Sequence, residues 1–307
     1  MRRVLIVAVL IIAAAILGLW RTHGGVRQGL RSAVGIPAEN AQGEARDEIR
    51  KSFQLQPGDR VEVQGINGPV TIETSDIKTA EVYVLRTASS RDSLNRRELV
   101  VEQTASGLSV RGRETRHIGL WDHLFGHNPK EEVTIKVPRQ IALSIRGVNG
   151  HVTTGDITGS LEAKGINGRV QFGSASDFAD LAGINGNLTV GLKQLGERGA
   201  RLSGINGNIE LRLGTGLNAD LSAKGMNGNM RSEITEVTVE KQQYSPQYSA
   251  RIGNGGVPIT LSGINGNVRL TRGETIATSA ESSEKKPAPN QKPGKPSAES
   301  DTSNNNK

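Results

Sequence analysis

A tetrapeptide, Gly-(Ile/Val/Met)-Asn-Gly, occurs seven times in this chain, with its asparagine at Asn67, Asn149, Asn167, Asn185, Asn206, Asn227 and Asn265. From Asn149 onward these asparagines are separated by 18, 18, 21, 21 and 38 residues, the last close to two units. A period near twenty marks a stacked repeat, because one such unit is too small to bury its own apolar face and must lean on its neighbours.

Aligning the copies on the asparagine shows what recurs around it. Four residues before it stand Val63, Ile145, Ala163, Leu181, Leu202, Ala223 and Leu261; directly before it come Ile66, Val148, Ile166, Ile184, Ile205, Met226 and Ile264. Three residues after it come Val70, Val152, Val170, Leu188, Ile209, Met230 and Val268, and two further on Ile72, Thr154, Phe172, Val190, Leu211, Ser232 and Leu270. All are apolar except Thr154 and Ser232. Polar residues such as Thr71, Gln171, Thr189, Glu210 and Arg269 fall between them, the alternation of a strand with one wet face.

Asn-Gly between apolar runs is ordinarily a hairpin signal. A two-residue hairpin here sets Ile166, Ile184, Ile205 and Ile264 opposite Arg169, Asn187, Asn208 and Asn267, apolar against polar in each case. A corner that turns the chain without folding it back keeps both apolar sets inward. The expected fold is therefore all-β, a β-solenoid (single-stranded, β-helix-like) with small residues at the bends and Asn67 and its six counterparts as structural turn residues. Only nine of the 307 residues are aromatic against 38 glycines, which suits a narrow interior filled with aliphatic ladders.

Four parts are expected along the chain. Residues 1–22 read as an uncleaved signal anchor, an N-terminal transmembrane helix, with a cleaved signal peptide as the alternative: residues 4–20 are uninterrupted apolar after Arg2 and Arg3, long enough to span a bilayer, and lead into Trp20-Arg21 with no small-residue cleavage site. Residues 23–52 read as a juxtamembrane linker, 53–273 as the β-repeat domain, and 274–307, rich in Ser, Glu, Lys, Pro and Asn, as a disordered tail. In the β domain before the regular repeats, strands are expected near 61–63, 70–72, 80–85, 99–102, 108–111, 133–137 and 142–145. There is no cysteine, which excludes disulfides, thiolate metal sites and a lipoprotein anchor together. Arg2 and Arg3 before the span are balanced by Arg21, Arg27 and Arg31 after it, so charge leaves the orientation open.

Two features of the sequence are candidates for chemistry. The stretch from His117 to His127 holds three of the five histidines around Trp121 and Phe125. No second ligand group of the His-Glu-x-x-His kind accompanies them, and Asn128-Pro129 follows, so no metal site is expected. The same apolar residues suit either a cap over one end of the stack or an amphipathic patch, with Trp121 and Phe125 the candidate partner or membrane contacts. At the turns, Asn-Gly-Asn and Asn-Gly-Arg replace the aspartates a calcium repeat needs. No catalytic residues, cofactor or metal ligands are assigned. The formal charge of +7 is dispersed, and with few rings to stack on bases, nucleic acid is not an expected partner.

Phe53-x-Leu-x-Pro57-Gly58-x-x-Val61-x-Val63, then Asn-Gly-x-Val-x-Ile, Val133-x-Ile-x-Val-Pro138 and the reiterated Gly-Ile-Asn-Gly together resemble the bacterial putative adhesins with β-strand repeats, including head domains named for their Gly-Ile-Asn motif. The resemblance covers about residues 53–272. It implies a β-repeat domain outside the cytoplasm and supplies no catalytic residues. The combined expectation is a single-pass cell-membrane protein, held in the lipid bilayer through residues 4–20, with its β domain in the periplasm or at the cell surface. That domain serves as an adhesin-like or envelope-sensing binding module for an unidentified envelope protein or polysaccharide. A self-assembling scaffold, and a polysaccharide-active enzyme using acids such as Asp156, Asp177 and Glu210 with Arg269, stand as alternatives.

Overall fold

The computed structural model describes residues 45–115, 128–243 and 245–273. The readings made for residues 4–20, for 117–127 with Trp121 and Phe125, and for the tail from 274 lie outside the described residues. Among the described residues no helix is long and apolar enough to cross a membrane.

The described chain is all-β, in one ten-stranded and one eleven-stranded mixed sheet. The residues leading into each Asn-Gly form β2 (Arg60–Gln64), β8 (Ala142–Val148), β10 (Leu161–Asn167), β12 (Ala179–Asn185), β14 (Ala200–Asn206), β16 (Ala219–Asn227) and β20 (Val257–Asn265), all in the eleven-stranded sheet. Those following it form β3 (Val70–Ser75), β9 (Val152–Thr154), β11 (Val170–Ala175), β13 (Leu188–Leu192), β15 (Ile209–Leu213), β17 (Met230–Ser232) and β21 (Val268–Arg272), all in the ten-stranded sheet. The two strands flanking an Asn-Gly thus belong to different sheets, and the turn is a corner, not a hairpin. Each strand pairs in parallel with its counterpart in the neighbouring copy, in register: Ile166 with Ile184, Asn167 with Asn185, Val170 with Leu188.

That register stacks like on like. Val63, Ile145, Ala163, Leu181, Leu202, Leu261 and Ala223 form one buried column, and the isoleucines before the asparagines another. Both sheets turn these columns into one continuous cluster, where Phe172 is the largest fully buried side chain. Each fully buried Val, Leu or Ile contributes roughly 1.5–3 kcal/mol of transfer free energy. A single column therefore outweighs what any one corner hydrogen bond can supply.

The order of the copies in space departs from their order in sequence. β20 lies between β14 and β16, and β21 between β15 and β17. The chain lays down the Asn227 copy one place too far out. It then doubles back through β18 (Val239–Lys241) and β19 (Gln247–Ile252), which pair antiparallel with each other and, through β19 alone, with β16, and inserts its last copy into the gap. The 38-residue step is this excursion. The copies therefore do not stack in sequence order. The Asn67 copy likewise pairs directly with the Asn149 copy, 82 residues later, so the stacked copies begin at β2.

The end of the stack beside β2 and β3 is closed by antiparallel strands. β1 (Ala45–Gln54) pairs with β4 (Thr79–Ala88), which pairs with β7 (Lys130–Pro138); β5 (Arg97–Thr104) pairs with β6 (Gly107–Glu114). A short helix, α1 (Arg91–Asn95), is capped by the Ser90 hydroxyl accepting from the Ser93 N–H at 3.2 Å. β1 corrects the expected linker, since the fold begins by Ala45. Its sequence, ARDEIRKSFQ, is nearly all charged or polar, with only Ile49 and Phe53 half-buried against the core. A sheet edge tolerates, and is protected by, such charge. All seven early strands expected from the sequence are present, extended by one to several residues at their ends.

Candidate binding groove along the asparagine ladders

Each corner uses its two glycines differently. The first sits in the left-handed region, as at Gly204 (φ 60°), and bends the strand inward. The second, as at Gly207 (φ 151°), packs so closely on the next copy that a Cβ there lies 2.3 Å from the Gly186 carbonyl oxygen. The asparagine between them then stacks on its counterparts. Asn149 Nδ2 donates to Asn67 Oδ1 at 3.2 Å, Asn167 to Asn149 at 3.3 Å, Asn185 to Asn167 at 3.4 Å, Asn265 to Asn206 at 3.1 Å and Asn227 to Asn265 at 2.9 Å. At the outer end Asn67 Nδ2 donates to the Pro129 carbonyl at 2.9 Å, and its backbone N–H to Glu131 Oε2 at 3.0 Å. Glu131 is itself wholly buried and paired with Arg97 at 3.2 Å. No side-chain bond joins Asn185 to Asn206 among the described residues, but the two are register partners, so the seven turn asparagines stand in one row.

A second row, two residues further on, differs in a way the sequence alone does not announce. Asn208 N–H donates to Asn187 Oδ1 at 3.1 Å, Asn267 N–H to Asn208 Oδ1 at 3.0 Å and Asn229 N–H to Asn267 Oδ1 at 3.0 Å. A backbone N–H can only donate, so the oxygen of each accepting amide is fixed on the ladder side. The Nδ2 donors of Asn187, Asn208 and Asn267 are then left outward, without an acceptor among the described residues. In the next position of the same row Arg169 N–H donates to His151 Nδ1 at 3.2 Å, and the Arg169 guanidinium has no carboxylate partner among the described residues.

Beside this row runs the outward column of the ten-stranded sheet, in which Gln171, Thr189, Glu210, Arg269 and Arg231 are successive register partners. Row and column together bound a surface groove of about 370 Å³ crossing four neighbouring copies, from Arg169 to Arg269. Its one carboxylate, Glu210, is held by Arg212 at 2.9 Å. Arg269 reaches Glu233 at 3.4 Å, but both side chains are more than half exposed, so that pair is weak and screened.

The scattered acids do not converge. Asp156 Oδ1 accepts the Ser174 N–H at 2.8 Å beside a glycine-lined pocket of about 90 Å³. Asp177 accepts the Gly196 N–H through its backbone carbonyl at 2.8 Å, and Asp180 pairs with Lys164 at 2.6 Å. Asp220 takes the Gly256 N–H at 2.9 Å and Arg251 at 3.3 Å, which hold its carboxyl below the usual range. On the eleven-stranded sheet burial pushes the Glu162 carboxyl up, but hydrogen bonds and charge from Arg60 (2.9 Å) and Arg146 (3.3 Å) more than reverse this and leave it lowered. Among the described residues no three His, Cys, Asp or Glu side chains gather as a metal site.

No known protein family and no curated protein matches the sequence. Among solved structures it is similar to a putative cell adhesion protein from Clostridium sporogenes, at 11% identity and a TM-score of 0.38 over 74% of this chain and all of that one. It is also similar to a putative adhesin from Parabacteroides merdae, at 10% identity and a TM-score of 0.26 over 73% of this chain and 96% of that one. A putative lipid binding protein from Parabacteroides distasonis is more distant still, at 10% identity and a TM-score of 0.22 over 74% of this chain and 97% of that one. Likeness at this distance carries no argument about activity.

Proposed function

We propose that this chain is a membrane-anchored, extracytoplasmic β-solenoid that works as a non-catalytic binding module of the cell envelope, adhesin-like or envelope-sensing, and that the asparagine-ladder groove is its contact surface. The observation that carries this is the row of outward amide donors held at fixed spacing by the ladder. A rigid, repeating set of donors with no internal acceptor is arranged for an external one. The dispersal of Asp156, Asp177 and Glu210 supports binding over polysaccharide cleavage, which needs two opposed carboxylates. Charged antiparallel strands at one end of the stack, and a three-residue edge strand β17 at the other, count against coil-on-coil assembly.

The test uses the full-length chain with an epitope on its tail. Protease should reach the β domain in spheroplasts, or already in intact cells if it lies at the surface, and the protein in detergent should retain polymer from envelope fractions. A β domain protected in both preparations, or a chain that retains nothing from the envelope, would overturn the reading.

A further inference from the structure

Resting on that reading, we infer that the groove between Arg169 and Arg269 takes one extended strand of an acidic, carboxylate-bearing polysaccharide, laid across the β-strands along the stacking axis. The donors of Asn187, Asn208 and Asn267 recur once per copy, at the inter-strand spacing of about 4.8 Å. A ligand that satisfies all three must therefore present acceptors repeatedly along its length, as a polymer does. Arg169 and Arg269 stand at the two ends of the groove, and a guanidinium matches a carboxylate in bidentate geometry.

The rest of the groove narrows the class. It contains no aromatic ring, so a neutral pyranose finds no face to stack on and nucleobases find no platform. Recognition has to come from charge and hydrogen bonds. The groove lies on the face of a sheet whose interior strands are paired on both sides, so a peptide cannot add to it as a further strand. Thr189 and Gln171 add hydroxyl and amide groups that can either donate or accept, which suits sugar hydroxyls.

The out-of-order insertion decides which residues complete this site. Only because β21 sits beside β15 does Asn267 follow Asn208, and Arg269 follow Glu210. In a stack ordered by sequence Asn229 and Arg231 would stand there instead.

The experiment measures fluorescence anisotropy of labelled oligogalacturonate, with neutral dextran as the comparison, on the full-length chain in phosphatidylcholine nanodiscs. Binding to oligogalacturonate and none to dextran is expected. R169Q/R269Q should weaken it at least tenfold. N208D should do the same, since it keeps the oxygen that accepts from Asn267 N–H while replacing the outward donor with a negative oxygen. R201Q/K224Q, exposed on the opposite sheet, should stay within twofold. Because Arg169 and Arg269 are exposed, their replacement tests the idea even if N208D perturbs the ladder. Equal binding of dextran, an equal loss in R201Q/K224Q, wild-type binding by R169Q/R269Q, or no oligogalacturonate binding would each overturn the inference. If envelope polymer is still retained by the full-length chain, that failure removes the acidic-glycan assignment alone.

Discussion

The two glycines of one corner make opposite demands, and Gly204 and Gly207 allow these to be separated. Alanine at Gly204 meets nothing closer than the Gly183 backbone nitrogen at 3.8 Å, so its only penalty is the left-handed φ of 60°. That conformation costs an L-residue about 1–2 kcal/mol, partly offset by a stiffer unfolded chain worth about 0.4–1 kcal/mol, for a net loss of about 1 kcal/mol. Alanine at Gly207 keeps a disfavoured φ of 151° and places its Cβ 2.3 Å from the Gly186 oxygen and 2.5 Å from its carbon. Backbone cannot yield there without parting the copies and stretching the 2.8 Å bond from Gly186 N–H to the Asn206 carbonyl. Strain of about 1–3 kcal/mol and a compromised backbone hydrogen bond of about 1–3 kcal/mol together give about 4 kcal/mol. Urea unfolding followed by far-ultraviolet circular dichroism measures both variants. A Gly207→Ala loss no larger than that of Gly204→Ala would refute the reasoning that stacking, rather than turn conformation, requires the second glycine.

Three further outcomes follow from single side chains. Phe172→Ala should cost about 3–5 kcal/mol in the same assay and Phe172→Leu under about 1.5 kcal/mol, whereas equal and small losses would mean that the core collapses around the gap. Glu162 has a lowered carboxyl, so its contribution is fully present above its ordinary value of 4.5 and is lost as pH falls through the folded value. Glu162→Gln should flatten the acid limb of the stability curve there, and an unchanged limb would count against the Arg60–Glu162–Arg146 cluster. Asn185→Asp replaces the donor to Asn167 Oδ1 with an oxygen. It should cost about 1 kcal/mol at neutral pH and less below about pH 4, where the carboxyl regains a proton; a deficit independent of pH would argue that the ladder bond is unimportant.

What could be read in the sequence was whatever repeats. Ile66, Ile166, Ile184 and Ile205 recur at one phase, so their column and the corner geometry followed from periodicity and from the apolar-against-polar clash a hairpin would create. β1 was hidden because Arg46, Asp47, Glu48, Arg50 and Lys51 carry no core signal. Ile49 and Phe53 alone could not outweigh them, and it is antiparallel pairing to β4 that orders the segment. The interleaving was hidden because copies with interchangeable motifs fit any slot. One signal did exist, since the Asn227 copy alone carries Met226, Met230 and Ser232 where the others carry branched aliphatic or larger residues, and terminal repeats are characteristically atypical. The donor row escaped for a different reason. Asn-Gly-Asn was visible, but which amide atom faces outward depends on inter-copy hydrogen bonds that only register defines.

The absence of native cysteine makes the stacking order directly measurable by disulfide trapping. Ser203 and Ser262 are register partners on adjacent strands of the eleven-stranded sheet, and Lys224 stands one strand further out beside Ser262. Neighbouring parallel strands lie about 4.8 Å apart, within the Cα separation a disulfide spans, whereas two strands apart is beyond it. On mild oxidation S203C/S262C should close an intramolecular bridge and S203C/K224C should not. Bridging in S203C/K224C with none in S203C/S262C would mean that the copies stack in sequence order, and the groove from Arg169 to Arg269 would not exist as described.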